Sequence, residues 1–377
     1  MLALAIMDRK LRVAVGLSGG VDSAVVAAML HRAGHEVVGL TMKIWRDDRP
    51  LPLPREEGSK QGCYGPGEDE DIAVSERLCE SLGIPYRVID LSIDYERLVL
   101  DYFRREYRAG RTPNPCIVCN REMKFGFLLE RARASGLDFE VFATGHYARI
   151  VQRDGVNYLA RATFQAKDQS YFLYTLDSDL LSRVRFPLGE LDKARVRAEA
   201  KALGLEVADK AESQDFVAGG DYAPLFADKP PQPGDFVDTE GKVLGRHRGL
   251  PYYTIGQRRG LGLSTGPDPL YVLRLDAATN RIVLGGGGGL FADGLVASSF
   301  RFQSSPRPTG EMRAFAKVRL AGLPAPCRVM PGEGDKVSLI FDHPERAIAP
   351  GQSAVLYDAD GLILGGGVID RPLALVE

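Results

Sequence analysis

The chain of 377 residues is 45% hydrophobic with a formal net charge of −2, which is long enough for about two or three domains and their cores. That balance excludes a largely disordered chain and a protein that coats nucleic acid along its whole surface, while leaving room for a local basic track. Residues 1–6 are apolar but too few for a secretory signal, and no run approaches a membrane span, so a cytoplasmic protein without a membrane partner is expected. Five cysteines, an odd number with two in a C-x-x-C pair, point to a reducing compartment where thiols bind metal or do chemistry.

Taken in order, the apolar run 11–15 reads as a buried strand, residues 16–23 as a polar glycine turn, and residues 24–30 as a helix ending at Gly34. Residues 37–42 form the second strand. A loop rich in Pro, Gly and charge, residues 47–70, carries Cys63 before a helix over 70–82 and a strand over 86–91. A helix over 95–107 follows, then a proline-stiffened loop over 111–120, a helix over 122–134 and a strand over 139–144. The expected fold class is α/β: a doubly wound parallel sheet, Rossmann-like, with its site at the strand carboxyl ends. After residue 210 helical periodicity gives way to short strands between Gly and Pro turns. The expected domains are a catalytic domain (1–210), a small central mixed, β-rich linker domain (211–290) and a C-terminal β-barrel (291–377). The five glycines 285–289 read as a flexible hinge or β-turn.

The chemistry is concentrated in two places. In Gly16-Leu17-Ser18-Gly19-Gly20-Val21-Asp22-Ser23, adjacent glycines let backbone N–H groups approach an anion, two hydroxyls add donors, and the helix dipole favours negative charge. The expected ligand is the phosphate chain of ATP with Mg2+. The lysine of a Walker A loop is absent and Asp22 stands in the turn as a magnesium partner. The C-x-x-C at Cys116 and Cys119 lacks the companion ligands of a structural zinc and the strand-to-helix setting of a redox pair. Beside an ATP-splitting loop it suggests sulfur handling: ATP makes an oxygen into a leaving group and sulfur displaces it.

The glycine loop resembles that of the ATP pyrophosphatase (PP-loop) superfamily. Arg111-Thr112-Pro113-Asn114-Pro115, Cys119-Asn120, Ala143-Thr144-Gly145-His146-Tyr147, Lys167-Asp168-Gln169-Ser170-Tyr171-Phe172-Leu173, Gly256-Gln257-Arg258-Arg259-Gly260-Leu261-Gly262 and Pro350-Gly351-Gln352-Ser353-Ala354, with that loop, resemble in order the MnmA family of tRNA-specific 2-thiouridylases. The resemblance implies ATP-dependent replacement of O2 by sulfur on the wobble uridine of glutamate, glutamine and lysine tRNAs. Carried over by position, Gly16, Leu17, Ser18, Gly19, Gly20, Val21, Asp22, Ser23, Met42 and Gly145 would bind ATP. Asn114, Pro115 and Cys116 would border the target base. Lys167, Asp168, Gln169, His146, Arg319, Leu320 and Gln352 would contact tRNA, and Cys119 would be the nucleophile. Two basic tracks could follow phosphates: residues 102–124 hold six Lys or Arg against two Glu, and residues 242–260 hold five with no acid.

The chain departs from the family in two positions. The better-known form has Asp where this chain has Cys116, and a second catalytic cysteine in a segment like Ser-x-x-Ile-Cys-Phe. Here the matching stretch is Glu212-Ser213-Gln214-Asp215-Phe216-Val217, with Ile-Cys deleted. Related thiolases with three cysteines hold a 4Fe-4S cluster. The corresponding expectation is a cluster on Cys63, Cys116 and Cys119, with Cys79 assigned to the core and Cys327 to the last domain. Other readings stay open: zinc or no metal with Cys119 taking sulfur from a persulfide carrier such as a cysteine desulfurase, a PP-loop ligase or amidotransferase of small molecules, and a catalytically dead tRNA-binding protein.

Overall fold

The structure is a computed structural model that describes residues 9–46, 48, 51, 62–210, 215–263, 268–303 and 307–374. Residues 1–6, most of residues 47–61, and Glu212, Ser213 and Gln214 lie outside the described residues. Two compact units are present, and each is taken by itself.

The first unit holds the described residues of Met1–Val99, Cys116–Asp221 and Gly361–Ile363. Its chain order begins β1 (Arg12–Gly16), α1 (Val21–Arg32), β2 (Glu36–Lys43), β3 (Gly62–Tyr64), α2 (Glu68–Leu82), β4 (Tyr86–Asp90) and α3 (Ser92–Tyr95). In β1, Val13, Ala14 and Val15 are all buried, as a strand covered on both faces requires. The strand β5 (Val141–Thr144) is followed by a hairpin of β6 (Ala148–Arg153) and β7 (Val156–Arg161) and by α7 (Ser178–Arg183), and with a short β8 (Val184–Arg185) it completes a parallel sheet ordered β4-β2-β1-β5-β8. The order reverses beside β1, so the crevice at a doubly wound sheet's switch point opens between the ends of β1 and β5. A main core of α1, α2, the sheet and the helix α8 (Lys193–Ala202) encloses Cys79.

Three expectations are corrected here. The helix expected over 122–134 starts earlier: α5 (Pro115–Val118) leads into a π-helix over Cys119–Phe127 and then α6 (Leu128–Ala134). Pro115 takes the first helical position, where its missing N–H costs nothing, so both C-x-x-C cysteines ride on a helix and not on a loop. Cys63 is not in an irregular loop. It lies in β3, which pairs in parallel with β9 (Asp215–Val217), Gly62 opposite Asp215 and Tyr64 opposite Val217. The helix expected over 95–107 begins at Ser92 and passes through a π-helical turn, Glu96–Leu100.

The second unit holds Leu100–Pro115, and the described residues of Tyr222–Asp360 and Leu364–Glu377. Within it α4 (Asp101–Arg108) packs Phe103 and Tyr107 against Tyr222 and Phe226. The strands β10 (Gly234–Val237), β11 (Val243–His247), β12 (Tyr271–Asp276) and β13 (Arg281–Gly285) form a sheet ordered β11-β10-β13-β12. Its core of Phe236, Leu250, Tyr253, Val272, Ile282 and Leu284 is separate from the next. A closed barrel follows, ordered β14-β17-β16-β15-β18-β19, where β14 is Phe291–Phe302, β15 Met312–Lys317, β16 Ala325–Pro331, β17 Val337–Arg346, β18 Ser353–Tyr357 and β19 Ile363–Leu373. Closure removes the sheet edges. Cys327 is in the barrel core. The glycine run is not a hinge: Gly285 ends β13 and Gly287–Leu290 is one 3-10 turn leading into β14.

Candidate active site

The glycine loop lies between the end of β1 and the start of α1. Leu17 N–H donates to Leu40 O at 2.7 Å and Gly19 N–H to Ser75 Oγ at 3.1 Å, which fixes the loop on β2 and α2. Ser23 Oγ accepts from Ser18 N–H at 3.2 Å and donates to Gly20 O at 3.1 Å. Those hydroxyls therefore shape the turn. Gly20 caps α1 without a side-chain hydrogen bond, which leaves the first N–H groups of the helix to an external acceptor. Gly145 follows β5, and a Cβ there would stand 2.9 Å from the backbone of Asp22 and Ser23. The ATP residues expected from sequence are thus brought together at the switch point, while Met42 is half-buried further along β2, opposite Ile89.

Two lysines that sequence reasoning did not select reach this loop. Lys193 Nζ pairs with Asp22 Oδ1 at 2.7 Å, and Tyr147 Oη donates to the same oxygen at 2.9 Å. Lys210 Nζ contacts Gly19 O at 3.0 Å and Asp71 Oδ1 at 2.5 Å. They lie 171 and 191 residues from their partners Asp22 and Gly19, and only their charge could have drawn notice.

The thiols form the second cluster. Burial pushes the Cys116 thiol up to about 12, with Cys63 and Cys119 adding to the rise and Lys124 opposing it. Burial likewise pushes Cys119 up to about 11, Lys124 opposing and Cys63 adding. Burial works against the charge of Lys124, yet Cys119, Cys63 and Cys116 together raise its pKa. His146 is held well below the usual range by burial and then by Lys124, so it meets a ligand as a neutral ring whose Nδ1 lies 2.8 Å from Thr144 Oγ1. Cys63, Cys116, Cys119 and Lys124 therefore share one electrostatic neighbourhood. Among the described residues, no three of His, Cys, Asp and Glu stand in an arrangement that could hold a metal ion. Cys79 and Cys327 are buried in separate cores and take no part.

The expected RNA-contact residues divide. In the second unit, Thr112 N–H donates to Pro350 O at 2.7 Å, and Gln352 Nε2 donates to Thr112 O at 3.1 Å and Pro113 O at 3.2 Å. Gln352 thus holds the Arg111–Asn114 stretch in place through its own amide. Asn114 and Thr112 are buried, Arg319 is half-buried and Leu320 exposed. In the first unit, Asp168 is turned inward: it accepts from Ala162 N–H at 3.0 Å and Ser170 N–H at 3.2 Å, and its side chain is fully buried. The expectation of a direct RNA contact from that carboxylate is corrected, because Oδ1 is taken up by the two backbone donors and Oδ2 faces Arg161 Nε at 3.5 Å. Gln169 exchanges hydrogen bonds with the backbone of Tyr147, and Lys167 is half-exposed beside them.

Three family models match in succession: a tRNA methyl transferase HUP domain over residues 11–218, a tRNA methyl transferase PRC-barrel domain over 226–286, and an aminomethyltransferase beta-barrel domain over 292–369. A protein named tRNA-specific 2-thiouridylase MnmA from Roseiflexus castenholzii is 45% identical over 383 residues, covering 96% of this chain and 99% of its own length. One of the same name from Carboxydothermus hydrogenoformans is 44% identical, covering 98% of this chain and 100% of its own.

Proposed function

The chain belongs to the MnmA family of tRNA-specific 2-thiouridylases, which are tRNA sulfurtransferases, and on that premise we propose an ATP-dependent exchange of O2 for sulfur on the wobble uridine of glutamate, glutamine and lysine tRNAs. ATP with Mg2+ occupies the loop of Gly16 to Ser23, with Asp22 as magnesium partner and Gly145 behind the phosphates. Uracil O2 bonds to the α-phosphorus as the α–β bridging bond breaks. Pyrophosphate leaves with that electron pair, and the N3 proton passes to solvent. Sulfur then adds at C2 and the C2–O bond breaks, releasing AMP. Adenylation is needed because an oxygen bonded to C2 is otherwise a poor leaving group.

The observation that carries the sulfur half is the meeting of Cys63, Cys116 and Cys119 around Lys124. In the pairing of β3 with β9, Cys63 stands level with Phe216, the residue that follows the deleted Ile-Cys pair. Cys63 thereby supplies a thiol from the neighbouring strand where the better-known form supplies one from the β9 segment. With a persulfide on Cys119, its terminal sulfur adds to C2. The Cys63 thiolate then attacks the Cys119 sulfur, forming a Cys63–Cys119 disulfide and freeing the 2-thiouridine, which regains a proton at N3. An external thiol reductant resets the pair.

A 4Fe-4S cluster is the second reading, favoured by the same three thiols. Their identity fits such a group, with Cys63, Cys116 and Cys119 as its holders and sulfide for the activated base as its chemistry. Their placement among the described residues does not make a metal-holding group, and no step is built on it. Although two family models carry the words methyl transferase, a loop for ATP phosphates and three thiols within one unit suit sulfur insertion. We also keep the three-part division at residues 210 and 290, supported by the successive family models and by the separate cores of the last two parts.

The test is mass spectrometry of nucleosides from tRNA incubated with protein, ATP and Mg2+, given either a persulfide donor with a thiol reductant or sulfide under anaerobic conditions. Appearance of 2-thiouridine only with ATP supports the function, and unmodified tRNA with both sulfur sources rejects it. Iron and sulfide analysis of anaerobically purified protein separates the readings, since active, iron-free protein removes the cluster.

A further inference from the structure

Tyr147 makes contacts in two directions. Its backbone is paired with Gln169: Tyr147 N–H donates to Gln169 Oε1 at 2.9 Å, and Gln169 N–H donates back to Tyr147 O at 2.9 Å. Its side chain crosses to the glycine loop, where Oη donates to Asp22 Oδ1 at 2.9 Å. The residue between these contacts is 2% exposed and lies in the core that includes Val21 and Ala24 of α1. A close-packed interior transmits strain, so a displacement of the Tyr147 backbone carries the hydroxyl with it. The partner segment is firmly held as well. The buried Asp168 carboxylate accepts from Ala162 N–H and Ser170 N–H, and Phe172 N–H donates to Gln169 O at 3.0 Å. Asn120, which follows Cys119, donates from Nδ2 to Phe172 O at 3.3 Å. The thiol helix, residues 167–169 and Asp22 are therefore joined by one chain of hydrogen bonds within the first unit.

We propose that Tyr147 is a positioning residue that couples RNA binding at Lys167 and Gln169 to nucleotide binding at the glycine loop. RNA seated on Gln169 fixes the Tyr147 backbone, the enclosed ring passes the constraint to Oη, and Asp22 is ordered before ATP and Mg2+ arrive. The second ligand then finds part of its ordering already done by the first, so each tightens the other by the same factor. The loop is thereby filled most readily when a tRNA is in place. The proposal rests on the reading of the loop as an ATP site and of Lys167 and Gln169 as RNA contacts.

The experiment measures tRNA binding by fluorescence anisotropy with and without saturating α,β-methylene ATP and Mg2+, and binding of that analogue by calorimetry with and without tRNA. Wild type should show a mutual tightening of about 5-fold or more, equal in both directions. Tyr147→Phe keeps the ring and removes only Oη, and its tightening should fall below about twofold. The analogue alone should bind it within about threefold of wild type, because Lys193 Nζ still pairs with Asp22 Oδ1 at 2.7 Å. Gln169→Ala should lose the tightening from the other end, and it carries the test if circular dichroism shows Tyr147→Phe to be misfolded. A tyrosine that served the fold alone would lower both affinities and leave the tightening intact. Tightening retained in either folded variant, or absent from wild type, overturns the proposal while leaving both sites standing. A wild type that fails to bind the analogue or the tRNA removes the proposed function itself, and this proposal with it.

Discussion

A thiol pushed up to about 11 is almost wholly protonated at neutral pH, and that is the condition of Cys119. As a bare thiol it would be a poor nucleophile, but a persulfide is more acidic and Lys124 stands ready to hold its charge. Cys119→Ser should therefore lower thiolation by at least about 1,000-fold while pyrophosphate release with tRNA continues. Loss of both activities together would assign Cys119 to folding or ATP binding instead. Cys116→Asp should keep measurable thiolation, since the better-known form of the family carries Asp there. Glu68 gives a prediction independent of function. Burial pushes its carboxyl up to about 7 despite N–H donors from Trp45 and Ile44. The folded state then binds the proton more tightly than the unfolded chain, so this group favours folding below about 4.5 and that advantage is lost as pH rises to about 7. Urea unfolding should show a decline of roughly 3 kcal/mol attributable to it between those pH values, and Glu68→Gln should flatten the slope. At this scale the sequence showed which residues carry chemistry where they are adjacent, as in Ser18 to Ser23. It could not show Lys193 or Lys210, because nothing local distinguishes a lysine whose partner is 171 or 191 positions away.

At the scale of elements, long apolar strands and the glycine turn were legible because parallel strands are buried on both faces and only a few turns join them to helices. Short elements were not. β3 has three residues and exists through its pairing with β9, which no periodicity signals, and so the strand carrying Cys63 read as loop. The start of the C-x-x-C helix was misread for a different reason. Two prolines suggest a stiff loop, but the second sits where a helix accepts proline. Once the helix begins at Pro115, the two cysteines are three residues apart on a helix and fall on one face. The Arg111–Asn114 stretch is in turn clamped by Pro350, Gly351 and Gln352. Gly351 has φ of +92°, and a Cβ there would meet the Thr112 backbone at 2.9 Å. Gly351→Ala and Gln352→Ala should each raise the KM for tRNA several-fold and cost about 1–3 kcal/mol of stability, with ATP affinity unchanged. An unaltered KM in both variants would show that the clamp does not shape the RNA-facing stretch.

For the whole molecule, a net charge of −2 must be reconciled with a polyanionic substrate, and the two basic tracks resolve differently. Most of the first is occupied: Arg104 with Asp101 and Leu225 O, Arg108 with Asp228, Arg111 with Glu106, and Arg121 with Glu122. Those guanidinium groups already have partners, so the count of cations in residues 102–124 overstates what is free for phosphate. In the second track Arg246 pairs with Asp235, whereas Lys242, Arg248, Arg258 and Arg259 are exposed and show no carboxylate partner among the described residues. Charge pattern alone could not separate the two tracks, because the acids that quench the first include Asp101, which lies just before it, and Asp228, which follows more than a hundred residues later. The consequence is a difference in salt dependence. Each phosphate contact contributes about 0.7 to 0.9 to the slope of log K against log salt. Arg258→Ala/Arg259→Ala should therefore reduce the magnitude of the slope for tRNA binding by roughly 1.5 and weaken binding at low salt, irrespective of the tRNA's sequence. Arg108→Ala should barely move the slope, since that side chain neutralises Asp228 and its loss removes no phosphate partner. Filter binding across a salt series decides the matter: equal slopes for wild type and the Arg258/Arg259 variant would place the RNA elsewhere on the protein, and a change in Arg108→Ala as large as theirs would mean that its ion pair opens when RNA binds.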